Sequence, residues 1–196
     1  MELSKNNKAI NDKEQGNQPT YLILLYPFAL LLICVLINIF AFGVNAYLIA
    51  LPVIEIIQLL AVASVLLLIN HTWLMTTTEL TRVRFNMFAT PEEWHESDKN
   101  RKDVTDEGKY ELERHHNTHR NTTENTVYYV LISFVFILAS PQIIPAGVWL
   151  LLFPVARLGY TYSYLKGKDG LRGIFMSLCL LSMYGMASYI AISLVV

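Results

Sequence analysis

The chain is 196 residues long, the size of one ordinary domain. Apolar residues make up 54% of it and charged residues 16%, against about 25% charged in a typical globular domain. This apolar excess excludes a disordered chain, and a net charge of −1 excludes a strongly basic nucleic-acid binder.

Residues 1–20 form a polar tail carrying Lys5, Lys8 and Lys13. Five apolar segments follow: Tyr21–Gly43, Ala46–Ile69, Val127–Ala139, Gly147–Leu165 and Gly173–Val196. A bilayer core of roughly 30 Å needs about 20 helical residues. Four segments reach or approach that length; Val127–Ala139 has only 13 residues, so its helix must continue N-terminally through polar sequence. The pattern predicts an all-α integral membrane protein with five spans. The long first run behind a polar tail reads as a retained anchor rather than a cleaved leader. Cys34 and Cys179 lie inside these runs and read as small buried hydrophobes, not as a disulfide framework.

Lys and Arg orient the spans. Three lie in the tail, and eight lie between Arg82 and Arg120. Lys166, Lys168 and Arg172 lie between the fourth and fifth segments, and Arg157 sits two turns before them; together these are all 15. The connections near Val44 and Pro141 have none. The N-terminus and both basic loops are therefore expected in the cytoplasm and the C-terminus outside. A bacterial inner membrane and an endoplasmic reticulum fit equally. In the loop 85–110, Thr90-Pro91-Glu92-Glu93 predicts a short capped helix to about Glu96, with a turn at Gly108.

Glu111 to Asn125 is a charged stretch leading into the third span. At about 100° per residue, Glu113, Asn117, Arg120 and Glu124 share one face. Arg120 and Glu124 also have i, i+4 spacing. Charges entering a membrane on one stripe belong against protein or water. An ion-pair network that only sets helix register is an equal reading. In the fourth segment Arg157, Tyr160, Thr161 and Tyr164 share a face, which suggests a pocket; an Arg near a helix end can also snorkel. Arg172 opens the fifth segment. Small residues there (Ser177, Cys179, Ser182, Gly185, Ser188) read as packing positions. His71 is expected to bond across helices, and Glu55 to face the interface. His115, His116 and His119 have ligand-like spacing but no accompanying Cys or HExxH, so no metal site is expected.

Glu-Arg-x-x-x-x-His-x-Asn-x-x-Glu-Asn at Glu113, Arg114, His119, Asn121, Glu124 and Asn125 resembles the signature of the MAPEG family (membrane-associated proteins in eicosanoid and glutathione metabolism). The segment Arg82–Glu93, the Ala156-Arg157 and Thr161-x-x-Tyr164-Leu165 patterns, and Leu171-Arg172 are similar to further family motifs. The likeness is strong from about Glu79 to Leu165. Its nearest subgroup resembles the microsomal glutathione transferases and prostaglandin E synthases. It implies a four-helix membrane domain over residues 48–196, with 21–47 as one extra N-terminal transmembrane helix.

The resemblance further implies a homotrimer that binds glutathione between subunits and takes a lipophilic second substrate from the bilayer. In that reading Arg120, Asn121 and Glu124 hold glutathione, with Arg157, Tyr160 and Tyr164 contributing from the fourth span and Arg82 from a neighbour. Arg172 stabilises the thiolate, and Glu93 stands near it. Four positions depart from the prostaglandin synthase pattern: Gly173 replaces a Ser, Glu93 an Asp, Asn117 an Arg and Tyr160 a His. The departures favour a general glutathione transferase or peroxidase over a prostaglandin E synthase-like isomerase. A catalytically silent structural or accessory protein and a proton or ion pathway through Glu124 and Arg157 are the competing functions.

Overall fold

The computed structural model describes residues 20–196; the predicted cytoplasmic tail, with Lys5, Lys8 and Lys13, lies outside them. The described residues are helical, without a strand. In chain order they form α1 (Thr20–Leu36, prolonged by a π-helical turn Ile37–Phe42), α2 (Ile54–Arg84), α3 (Pro91–Glu96), α4 (Asp106–Leu138), α5 (Ile143–Leu165) and α6 (Asp169–Ser193). A short 3-10 turn, Arg101–Asp103, separates α3 from α4.

Four helices are long and apolar enough to cross a membrane: α1 over Leu22–Phe42, α2, α5 and α6. At 1.5 Å per residue, the 31 residues of α2 reach about 46 Å. That exceeds the thickness of a bilayer core. With 33 residues, α4 runs N-terminally through the polar stretch, as the short third apolar segment requires. Gly108 lies inside α4 rather than at a turn: the start is set by Thr105, whose side chain accepts from Gly108 N at 3.2 Å.

The second apolar segment differs from expectation. Residues 44–53 are not helical, and α2 starts only at Ile54. Pro52 sets the start locally, since a proline disfavours helical backbone at Leu51 before it, and Val53 is the extended N-cap of α2. Tyr47 N instead donates to Ser193 O at 2.7 Å, pinning the connection to the end of α6. The predicted α3 is present with its full capping box: Thr90 accepts from Glu93 N, and Glu93 accepts from the Thr90 backbone.

The core lies where α5 meets α2 and α6, around Trp149, Leu150, Phe153, Phe136, Met186 and Tyr189. Glycine permits the closest approach: a Cβ at Gly185 would sit 2.4 Å from the Trp149 ring, and one at Gly159 2.3 Å from Phe175. The small residues of α6 are thus packing positions, as expected, and Cys34 and Cys179 are buried free thiols.

The extra helix α1 packs along α6 of its own bundle. Asn38, fully buried, joins three helices. Its Nδ2 donates to Gly185 O at 2.8 Å and Ser188 Oγ at 2.9 Å, while its Oδ1 accepts from Trp149 Nε1 at 2.9 Å. Tyr26 OH donates to Ser177 Oγ, and Cys34 Sγ to Leu181 O at 3.3 Å.

Candidate functional site

The C-terminus of α2, the N-terminal half of α4, the end of α5 and the start of α6 gather at one end of the bundle. That end carries the cations of the described residues except Arg157 and Arg120, which lie deeper, at the level of Asn121. A polar cavity of about 270 Å³ opens there, lined by Tyr110, Glu113, Arg114, Asn117, Tyr164, Gly167, Asp169 and Arg172. Three helices build it, because the charged face of α4 meets the last turn of α5 and the first of α6.

Of the residues singled out in the sequence, the cavity brings together Tyr164, Arg172 and the first half of the α4 stripe. The Arg172 guanidinium lies over the Tyr164 ring, 5.1 Å from its centroid. Its Nη1 sits 3.3 Å from Asp169 Oδ1. The Tyr160 and Tyr164 rings are 5.7 Å apart, with Tyr160 buried beneath the rim.

Arg114, Tyr110 and Asp169 were not among the candidates. Arg114 stacks on Tyr110 at 5.0 Å, pairs with Glu111 at 3.5 Å and donates to Leu165 O at 3.4 Å, tying α4 to α5. The sequence holds a signal for two of the three: Arg114 stands within the Glu-Arg motif, and Asp169 lies three residues before Arg172 on one helical face.

Farther along α4, Arg120 and Glu124 are exposed on the single chain. Their i, i+4 spacing does not give an ion pair; Arg120 Nη2 turns back to Asn117 Oδ1 at 2.9 Å. Among the described residues neither has an ion-pair partner. Tyr128, next along this side, is 68% exposed. The polar stripe therefore points away from the bundle's own core.

Arg157 does not snorkel. It is fully buried, between the Phe153 and Tyr160 rings at 5.4 and 4.7 Å. Its Nη1 donates to Asn121 Oδ1 at 2.8 Å, and Nη2 reaches Met176 Sδ at 3.6 Å. It does not line the cavity; it fixes the Asn121 side chain from behind. Asn121 O in turn accepts from Asn125 Nδ2 at 2.8 Å.

Two other candidates lie elsewhere. Arg82 occupies the α2–α4 seam, paired with Glu79, its Nη2 3.4 Å from His116 Nε2. A guanidinium has only donors, so the imidazole nitrogen accepts. Glu93 is committed to its cap: Oε2 accepts from Ala89 N at 2.8 Å and Thr90 N at 3.3 Å. Within the single chain the carboxylate paired with Arg172 is that of Asp169. His71, His115 and His119 lie at the α2–α4 contact: Thr78 Oγ1 is 3.1 Å from His119 Nε2, Thr81 Oγ1 is 3.5 Å from His115 Nε2, and the His71 and His119 rings meet edge-on at 6.3 Å. Glu55 is exposed in the first turn of α2.

Membrane-length apolar helices around a polar, cation-rich end define an integral membrane protein with a site at one end of its bundle. The model of the MAPEG family matches residues 59–192, and the chain belongs to that family. The match begins inside α2, so α1 lies outside it. No curated protein matches the chain. Membership supports a place among the membrane transferases and isomerases of glutathione chemistry in general.

Proposed function

We propose that the protein is a glutathione-dependent membrane transferase or peroxidase, and that its site is the polar cavity together with the exposed stripe of α4. One observation carries this reading: Arg172 and Tyr164 meet the α4 stripe in a single polar cavity, inside the segment that matches the family.

The donor set fits glutathione, an anionic tripeptide with two carboxylates, one ammonium and one thiol. Arg114, Arg120 and Arg172 offer guanidinium forks for the carboxylates and the thiolate. Glu113, Glu124 and Asp169 offer partners for the ammonium. Arg157 holds Asn121 in place, and Tyr160 and Tyr164 form the wall under Arg172. When bound, glutathione supplies the thiol that attacks an electrophile or reduces a peroxide. A free thiol ionises near pH 8.5, and a neighbouring cation favours its thiolate; Arg172 is the residue assigned that role. Glu93, assigned a place near Arg172 by the resemblance, caps α3 within the single chain.

The same reading makes α4 a fifth span beside α1, α2, α5 and α6, with residues 48–196 as the MAPEG-like domain and 21–47 as the extra helix. The N-terminus and the basic loops face the cytoplasm. Lipid contact would cost roughly 2.5–3.5 kcal/mol for each stripe charge at bilayer depth. Burial between copies of the chain, in a homotrimer, removes that cost and lets Arg82 of one copy approach the stripe of the next. The lipophilic second substrate enters from the bilayer.

Arg172→Ala tests the chemistry. Conjugation of an electrophilic dye and reduction of a lipid hydroperoxide should both fall at least a hundredfold, with glutathione binding weakened far less. Unchanged turnover would remove Arg172 from the mechanism. The silent-fold reading draws on the carboxylate that Asp169 already places at Arg172; wild-type protein that binds glutathione and turns over neither substrate would favour it.

A further inference from the structure

We propose that a second cleft at the same end of the bundle binds the phosphate headgroup of an anionic phospholipid. Tyr162 and Tyr164 stand about 200° apart around α5. Tyr164 lines the polar cavity beside α6, whereas Tyr162 lines a different cavity, of about 320 Å³, beside α2. None of the cations at this second mouth lines the first.

The cleft is amphipathic along its depth. Trp73 and Leu80 of α2 and Leu165 of α5 line it with apolar surface, while Arg84 and Lys166 supply the charge. A third cation belongs to the mouth: Lys168 Nζ lies 3.4 Å from Tyr162 OH and 5.2 Å from the centroid of its ring. Three cations, from the end of α2 and the short connection between α5 and α6, thus surround one aromatic rim.

These cations are available to a ligand. Arg84 meets only Glu107 among the described carboxylates, at 3.8 Å, and both side chains are about 70% exposed. Such a pair contributes little in water. Glu111, the acidic residue lining the cleft, is already paired with Arg114 at 3.5 Å.

The ligand class follows from position as well as charge. The apolar segment of α2 ends at Ile69, one turn before Trp73, and that of α5 ends at Leu165, where Lys166 terminates the helix. Tyr and Trp at such a boundary sit at headgroup level, and basic pockets between membrane helices suit anionic headgroups. A free phosphate would satisfy the cations but leave the apolar surface exposed; a phospholipid satisfies both.

The full chain in phosphatidylcholine nanodiscs, doped with spin-labelled phosphatidylglycerol or spin-labelled phosphatidylcholine, tests this directly. Wild type should immobilise the anionic label at least threefold more than the neutral one. The exposed-site variant Arg84→Gln/Lys166→Gln/Lys168→Gln should lose that preference. A loop variant of equal charge change, Arg101→Gln/Lys102→Gln/Lys109→Gln, should keep it. Equal immobilisation of the two lipids in wild type, or equal loss in both variants, would overturn the site. Full displacement of the label by millimolar inorganic phosphate would overturn the assignment to lipid.

Discussion

Two arginines of similar sequence context do different work. Arg157 is sealed among aromatic rings and acts on Asn121; Arg172 is half-exposed at the cavity, its side chain 41% accessible. Spacing put both near a pocket but did not separate them, because burial depends on what α4 and α6 bring opposite. Next to Arg172, Gly173 has open space where a side chain would project, with no atom within 4 Å. Gly173→Ser should therefore fold as wild type, its stability within about 0.5 kcal/mol. It adds a hydroxyl donor beside the proposed thiolate site. Turnover at neutral pH should rise severalfold, measured by initial conjugation rates at saturating glutathione. An unchanged rate would mean that position 173 does not face the thiol.

Among the elements, α1 is bound to the bundle through polar contacts rather than merely alongside it. Lipid tails are as apolar as its own side chains, so packing and hydrogen bonds must hold it there. Asn38 supplies three bonds to two other helices. Asn38→Leu would strand the buried Trp149 indole N–H, and leaving a buried group unpaired costs about 1–3 kcal/mol. Limited proteolysis after Gly43, and thermal unfolding in detergent, should both show α1 released before the remaining helices. A single unfolding step at the wild-type temperature would contradict this. The helices themselves were largely legible. The cap at Thr90-Pro91-Glu92-Glu93 and the polar extension of α4 followed from sequence. The late start of α2 was legible in principle from Pro52, but hydrophobicity alone masked it. The role of Asn38 was not legible: one polar residue in an apolar run shows that a partner is needed and not which helix provides it.

For the whole molecule, the distribution of charge matters more than its sum. Among the described residues most cations gather at one end, where Arg114 and Arg172 line one cleft and Arg84 and Lys166 another, on either side of α5. Arg120 and Glu124 were legible as a stripe, and the single chain leaves them exposed; in the proposed trimer another copy covers them, which periodicity within one chain does not encode. The central claim is that this end of the protein grips glutathione. Titration calorimetry of glutathione into the purified chain, beside Arg120→Ala in the same detergent, tests it most directly. Saturable binding in wild type, weakened at least tenfold by the substitution, is the predicted result; folded wild-type protein that gives no binding heat at several temperatures would contradict it.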